Sequence, residues 1–122
     1  MEKKAILELK TPVVTTNQVL NKLRIVVDYQ KGGVNLFNGD YNNGGVYAYI
    51  TPCSYSNGIV GQVITGKTHY DGYKILLKGL NRKSQKQIDL MAEKVLPYGQ
   101  QIADLYSDAK HQEIYNLIMS IV

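Results

Sequence analysis

The chain of 122 residues has one cysteine, two histidines and three prolines, and no long apolar run. One thiol, Cys53, cannot close an intramolecular disulfide, which excludes a disulfide-stapled fold and makes a reducing compartment the expectation. Cys53, His69 and His111 are too scattered to show metal-ligand spacing, so neither a metal nor a cofactor is implied. No apolar stretch reaches the roughly 18 residues that a membrane span needs. Met1-Glu2-Lys3-Lys4-Ala5 leads into only a few apolar residues before Lys10, so no secretory signal is expected and the cytoplasm is the expected location. Charged residues are also modest at 20%, against 44% hydrophobic, a balance too apolar for a disordered chain. A chain of this length buries roughly two-thirds of its unfolded surface, which predicts a single domain over 1–122 with one modest core.

Glycine and tyrosine are plentiful, and they are concentrated. Ten of the eleven glycines lie between Gly32 and Gly79, and six of the ten tyrosines between Tyr41 and Tyr73. Short Val, Ile and Tyr runs bounded by glycine read as strands joined by tight turns. Strands are expected near 4–10, 23–30, 46–51, 59–65 and 73–79. Turns are expected at Lys31-Gly32-Gly33, Asn38-Gly39-Asp40, Asn42-Asn43-Gly44-Gly45 and Ser56-Asn57-Gly58, where Asn-Gly and Gly-Gly supply positive φ. Thr15-Thr16-Asn17 suggests the cap of a short helix through Leu20. Past residue 83 the period changes. Ser84-Gln85-Lys86-Gln87 fits a capping box, and Ile88, Met91, Ala92 and Val95 share one helical face. Pro97 interrupts this pattern. A second one runs through Ile102, Leu105 and Tyr106 and, after Ser107-Asp108, through Ile114, Leu117, Ile118 and Ile121. The prediction is an α+β fold, with an antiparallel β-rich N-terminal two-thirds followed by two C-terminal helices packed on the sheet.

The formal net charge of +4 is unevenly placed. Residues 67–86 carry Lys67, Lys74, Lys78, Arg82, Lys83 and Lys86 against Asp71 alone, whereas the last 36 residues carry Lys94 and Lys110 against five acids. A local positive field of this kind attracts phosphates, nucleotides or an acidic protein face.

The sharpest motif, Gly61-Gln62-Val63-Ile64-Thr65-Gly66-Lys67-Thr68, satisfies the phosphate-loop pattern G-x-x-x-x-G-K-[ST]. That chemistry needs a following helix whose N-terminus faces the anion. Here Asp71-Gly72 turns the chain into another strand, and β-branched Val63-Ile64-Thr65 favours a strand, so the match reads as accidental. Nucleophilic catalysis fares no better. His69 and Asp71 could share a strand face, but Cys53 reads as a small buried hydrophobe and His111 as a solvated residue among Lys110, Gln112 and Glu113. The chain therefore reads as a binding protein and not an enzyme.

Tyr70 and Tyr73 flank the Asp71-Gly72 turn beside Lys67 and Lys74, and tyrosine offers a flat ring to a base and a hydroxyl to its polar edge. The expected site uses Lys67, Thr68, Arg82 and Lys83 for phosphate and Tyr70 and Tyr73 for stacking. A β-rich front with the strand-like Val46-to-Leu80 region, then Arg82-Lys83-Ser84 and helices through Val122, resembles the phage Thoeris anti-defence proteins. The resemblance lies in length and order of elements and transfers no site residue. It implies non-enzymatic sequestration of a nucleotide-like anion, a cyclic ADP-ribose-type immune signal, in the host cytoplasm of a phage-encoded chain. Two rivals use the same residues: a single-stranded nucleic-acid binder and an inhibitor module meeting an acidic protein face. The last nine residues are apolar at seven positions, which predicts a homo-oligomer built through the C-terminal helices.

Overall fold

The computed structural model describes residues 3–14, 19–34, 41–42, 44–53, 55–56, 59–60 and 73–122. Its elements run β1 (Lys3–Val14), β2 (Val19–Gln30), β3 (Gly33–Val34), β4 (Tyr41–Asn42), β5 (Gly45–Cys53), β6 (Tyr55–Ser56), β7 (Ile59–Val60) and β8 (Tyr73–Gly79). Then come α1 (Gln85–Val95), a 3-10 turn at Leu96–Tyr98, α2 (Gly99–Ser107) and α3 (His111–Ile121). Strands first and helices last make an α+β fold. The four long strands form one sheet in the order β1-β2-β5-β8, every neighbour antiparallel. The small hairpins β3–β4 and β6–β7 are inserted in the chain on either side of β5.

The period-2 pattern of β2 explains its place in the sheet. Leu23, Ile25 and Val27 are fully buried beneath the helices, while Lys22, Arg24 and Asp28 alternate with them on the other face. Cross-strand partners continue the layer: Ile25 lies opposite Ile50 of β5 and Ala5 of β1. Under α2 and α3, Leu23, Ile25, Ile50 and Ile75 meet Ile102, Ala103, Tyr106, Ile114 and Ile118; under α1, Val27 and Val46 meet Ile88, Met91 and Ala92. The outer edge of β1 is sealed by α2, since the Lys10 N–H donates to Ser107 Oγ at 3.0 Å and Gln100 Nε2 donates to the Glu8 carbonyl at 3.3 Å. Satisfying edge groups this way removes a template for strand addition.

Three local expectations change, and a fourth is described only in part. Val19 and Leu20 belong to β2, with Leu20 buried opposite Val13, so no helix runs through Leu20; Thr15, Thr16 and Asn17 lie outside the described residues. Of the strand expected at 59–65, only Ile59 and Val60 are described, and they form β7. The capping box is half made: Ser84 Oγ accepts the Gln87 N–H at 3.3 Å, but the Gln87 side-chain oxygen is buried without a partner among the described residues. Finally, there are three C-terminal helices and not two. Ala109 sits at φ 58, its N–H bonds the Tyr106 carbonyl, and the Lys110 N–H reaches back to Leu105. These are the paired bonds of a Schellman stop, which ends α2 and lets α3 restart at His111.

Of the seven apolar residues at the end of the chain, Ile114 and Ile118 are buried, and Leu117, Met119, Ile121 and Val122 pack against the same core. Tyr115 alone is exposed, at 47%. Ile114, Leu117, Ile118 and Ile121 thus form the stripe that packs on the core, and of the three apolar residues beside it Met119 and Val122 pack there too. No helix among the described residues is long and apolar enough to cross a membrane.

Candidate functional site

Where β8 begins and α3 begins, the fold brings aromatic rings together. Tyr73 faces the helices, and Tyr106 near the end of α2 meets its ring edge-on at 6.0 Å and 76°. His111, the first residue of α3, lies 5.3 Å from Tyr73 and 5.5 Å from Tyr106. The Schellman stop causes this meeting: it turns the chain at Ala109 so that the first residue of α3 packs back on the last turn of α2. His111 is therefore a packed residue and not a solvated one, with Nδ1 buried and no hydrogen-bond partner among the described residues. Burial of such a nitrogen without a partner carries a desolvation cost.

Beside this trio opens a cleft of about 590 Å³, lined by Tyr73, Lys74, Ile75 and Leu76 of β8 and by His111, Gln112, Ile114 and Tyr115 of α3. Its size is that of a small-molecule site. The first turn of α3 has no intrahelical partners for its N–H groups and no side-chain cap from Lys110, which instead lies 4.0 Å from Glu113 in the same turn. Lys74 lines the rim but turns its ammonium to the opposite sheet face, donating to Gln30 Oε1 at 3.2 Å and lying 5.0 Å over the Tyr47 ring. Tyr49 donates to the same Gln30 oxygen at 2.8 Å. Burial, then the nearby Asp28 and Tyr47, holds the Tyr49 phenol above its ordinary pKa. Farther along this face burial pushes the Cys53 thiol up, although Arg24 and Lys22 pull the other way. Tyr47 and Tyr49 do share a face, with centroids 6.2 Å apart, but Tyr47 is only 7% exposed.

Of the residues the sequence nominated, Tyr73 is in the cleft. Arg82 and Lys83 are exposed in the segment between β8 and α1. Six strand steps put Tyr73 about 20 Å from Gly79, so the structure does not bring Arg82 and Lys83 together with Tyr73. Lys67, Thr68 and Tyr70 lie outside the described residues, as do the Gly61-to-Thr68 motif, His69 and Asp71. The sequence reading missed His111, Gln112 and Tyr115. The usable signal was the i,i+4 spacing of His111 and Tyr115, which stacks two rings on one helical face beside Ile114 and Ile118. Among the described residues no group of three or more His, Cys, Asp or Glu is placed to hold a metal ion. Compared with known proteins, the chain matches no family model, no curated protein and no solved structure.

Proposed function

We propose that the protein binds and sequesters a nucleotide-like anion in the cleft between β8 and α3, without chemical turnover. One observation carries the reading: an aromatic-walled space of about 590 Å³ opens directly onto the uncapped first turn of α3. A flat base would lie against Tyr73 and Tyr115, and a phosphate would take the free N–H groups of that turn beside His111. A cyclic ADP-ribose-type immune signal has both parts and is the ligand class that the Thoeris anti-defence resemblance implies. The single-stranded nucleic-acid reading gains less, because stacking across the sheet needs an accessible ring and Tyr47 is buried. Assembly through the C-terminal helices would use Tyr115, the exposed apolar residue of α3, and would close the mouth of the same cleft.

The test is mass spectrometry of small molecules released by denaturing the purified protein, followed by calorimetric titration of what is found. A defined nucleotide whose affinity falls about tenfold or more in Tyr115→Ala, at unchanged melting temperature, is expected. Absence of any nucleotide, together with no saturable heat from ADP-ribose or AMP, overturns the proposal.

A further inference from the structure

We infer that a second site, at the opposite end of β8, cradles a phosphate-sized oxyanion. A cavity of about 200 Å³ is lined by Lys31, Gly32, Gly33, Gly44, Leu80 and Asn81. This is below the roughly 300 Å³ at which sites for drug-sized molecules begin, and suits a tetrahedral anion with part of its hydration. Two of its walls are tied together, since the Leu80 N–H donates to the Gly44 carbonyl at 3.1 Å.

The glycines in this wall differ in what they are for. At Gly44 a Cβ would stand 2.8 Å from the Leu80 carbonyl and 2.9 Å from the Gly32 nitrogen, so glycine there is what lets the segments close. At Gly33 a Cβ would meet nothing within 4 Å among the described residues, and the backbone is not in the left-handed region. Neither crowding nor conformation calls for glycine at 33. A bare backbone on a cavity wall does serve an anion, because it lets the ligand approach peptide N–H groups closely.

Charge chooses the ligand. Lys31 stands in the wall, and Arg82 and Lys83 directly follow Asn81, whose amide adds two donors. None of the three cations pairs with a carboxylate among the described residues. Among the described residues no acid lines the cavity. The two exposed cations that the sequence offered as phosphate contacts thus belong at this end of β8 and not beside Tyr73. Orthophosphate and the terminal phosphate of a larger monoester present the same chemistry here.

Calorimetric titration with inorganic phosphate, and separately with AMP, tests the site. Wild type is expected to bind phosphate saturably with one ion per chain. Lys31→Ala should weaken that binding about tenfold, the usual effect of losing one charge-assisted hydrogen bond. Gly33→Val should abolish it at unchanged melting temperature, since the fold has room for the side chain. Tyr115→Ala removes only the stacking ring of the cleft and should leave phosphate binding intact; its loss in Lys31→Ala and Gly33→Val, which do not line the cleft, is what separates this site from the first turn of α3. AMP binding that depends on Lys31 identifies a monoester as the ligand; phosphate binding without it identifies the free ion. No saturable phosphate heat, or binding unchanged in both Lys31→Ala and Gly33→Val, overturns the inference.

Discussion

Gly45 and Gly79 face each other across β5 and β8, yet they answer to different constraints. A Cβ on Gly45 would collide with the Lys78 backbone carbonyl and come within 2.8 Å of the Leu76 side chain, whereas one on Gly79 meets nothing within 4 Å. The backbone carbonyl cannot move without distorting the strand pairing, which is already irregular between Val46 and Tyr47. Gly45→Ala is therefore expected to destabilise the protein by about 1–3 kcal/mol, the cost of overpacking a closed interior. Gly79→Ala should leave stability unchanged or raise it by about 0.4–1 kcal/mol, because it restricts only the unfolded chain. Urea unfolding of the two variants checks the contrast; equal effects would show that the close approach at Gly45 is absent. Nothing in the sequence separates these two glycines, since crowding depends on which backbone arrives from β8.

Ala109 shows the same limit for whole elements. The strand and helix periods could be read directly: β2 alternates, α1 repeats Ile88, Met91, Ala92 and Val95, and Pro97 falls in the 3-10 turn after α1. The stop between α2 and α3 could not, because the left-handed position of a Schellman motif is usually glycine and here is alanine. The helical period resumes at Ile114, so the two helices read as one. The site was hidden for the same reason. His111 looks solvated until the turn at Ala109 sets it against Tyr73 and Tyr106, and Tyr73 could be nominated only because its aromatic neighbours lie near it in the chain. A non-glycine residue at this φ costs about 1–2 kcal/mol. Ala109→Gly recovers part of that cost and is expected to raise the melting temperature by several degrees in a chain of this size. It should leave the aromatic trio in place, with an unchanged near-ultraviolet circular dichroism spectrum. A lower melting temperature would mean that the junction is held by something other than backbone geometry.

At the scale of the molecule, two buried clusters lie between the sheet and the helices. One sits under α2 and α3 around Ile102 and Ile114, the other under α1 around Ile88 and Met91. Leu77 of β8, Leu96 of the 3-10 turn and Val122 at the end of α3 pack against both, so neither can open without exposing side chains that the other also uses. This shared layer predicts one cooperative unit, although the helices are separate. Ile88→Ala and Ile102→Ala each remove a fully buried side chain and should each cost about 2–5 kcal/mol. That is a large fraction of a stability on the order of 5–15 kcal/mol. Both variants should still unfold in a single transition, with secondary structure and tyrosine environment lost together. Because the two isoleucines belong to different clusters, their costs should add to within about 0.5 kcal/mol, whereas Ile102→Ala combined with Ile114→Ala should not add, since both belong to the same buried cluster. A first transition in Ile88→Ala that melts α1 and leaves the tyrosine signal native would divide the molecule in two, and the bridging role of Leu77, Leu96 and Val122 would fall with it.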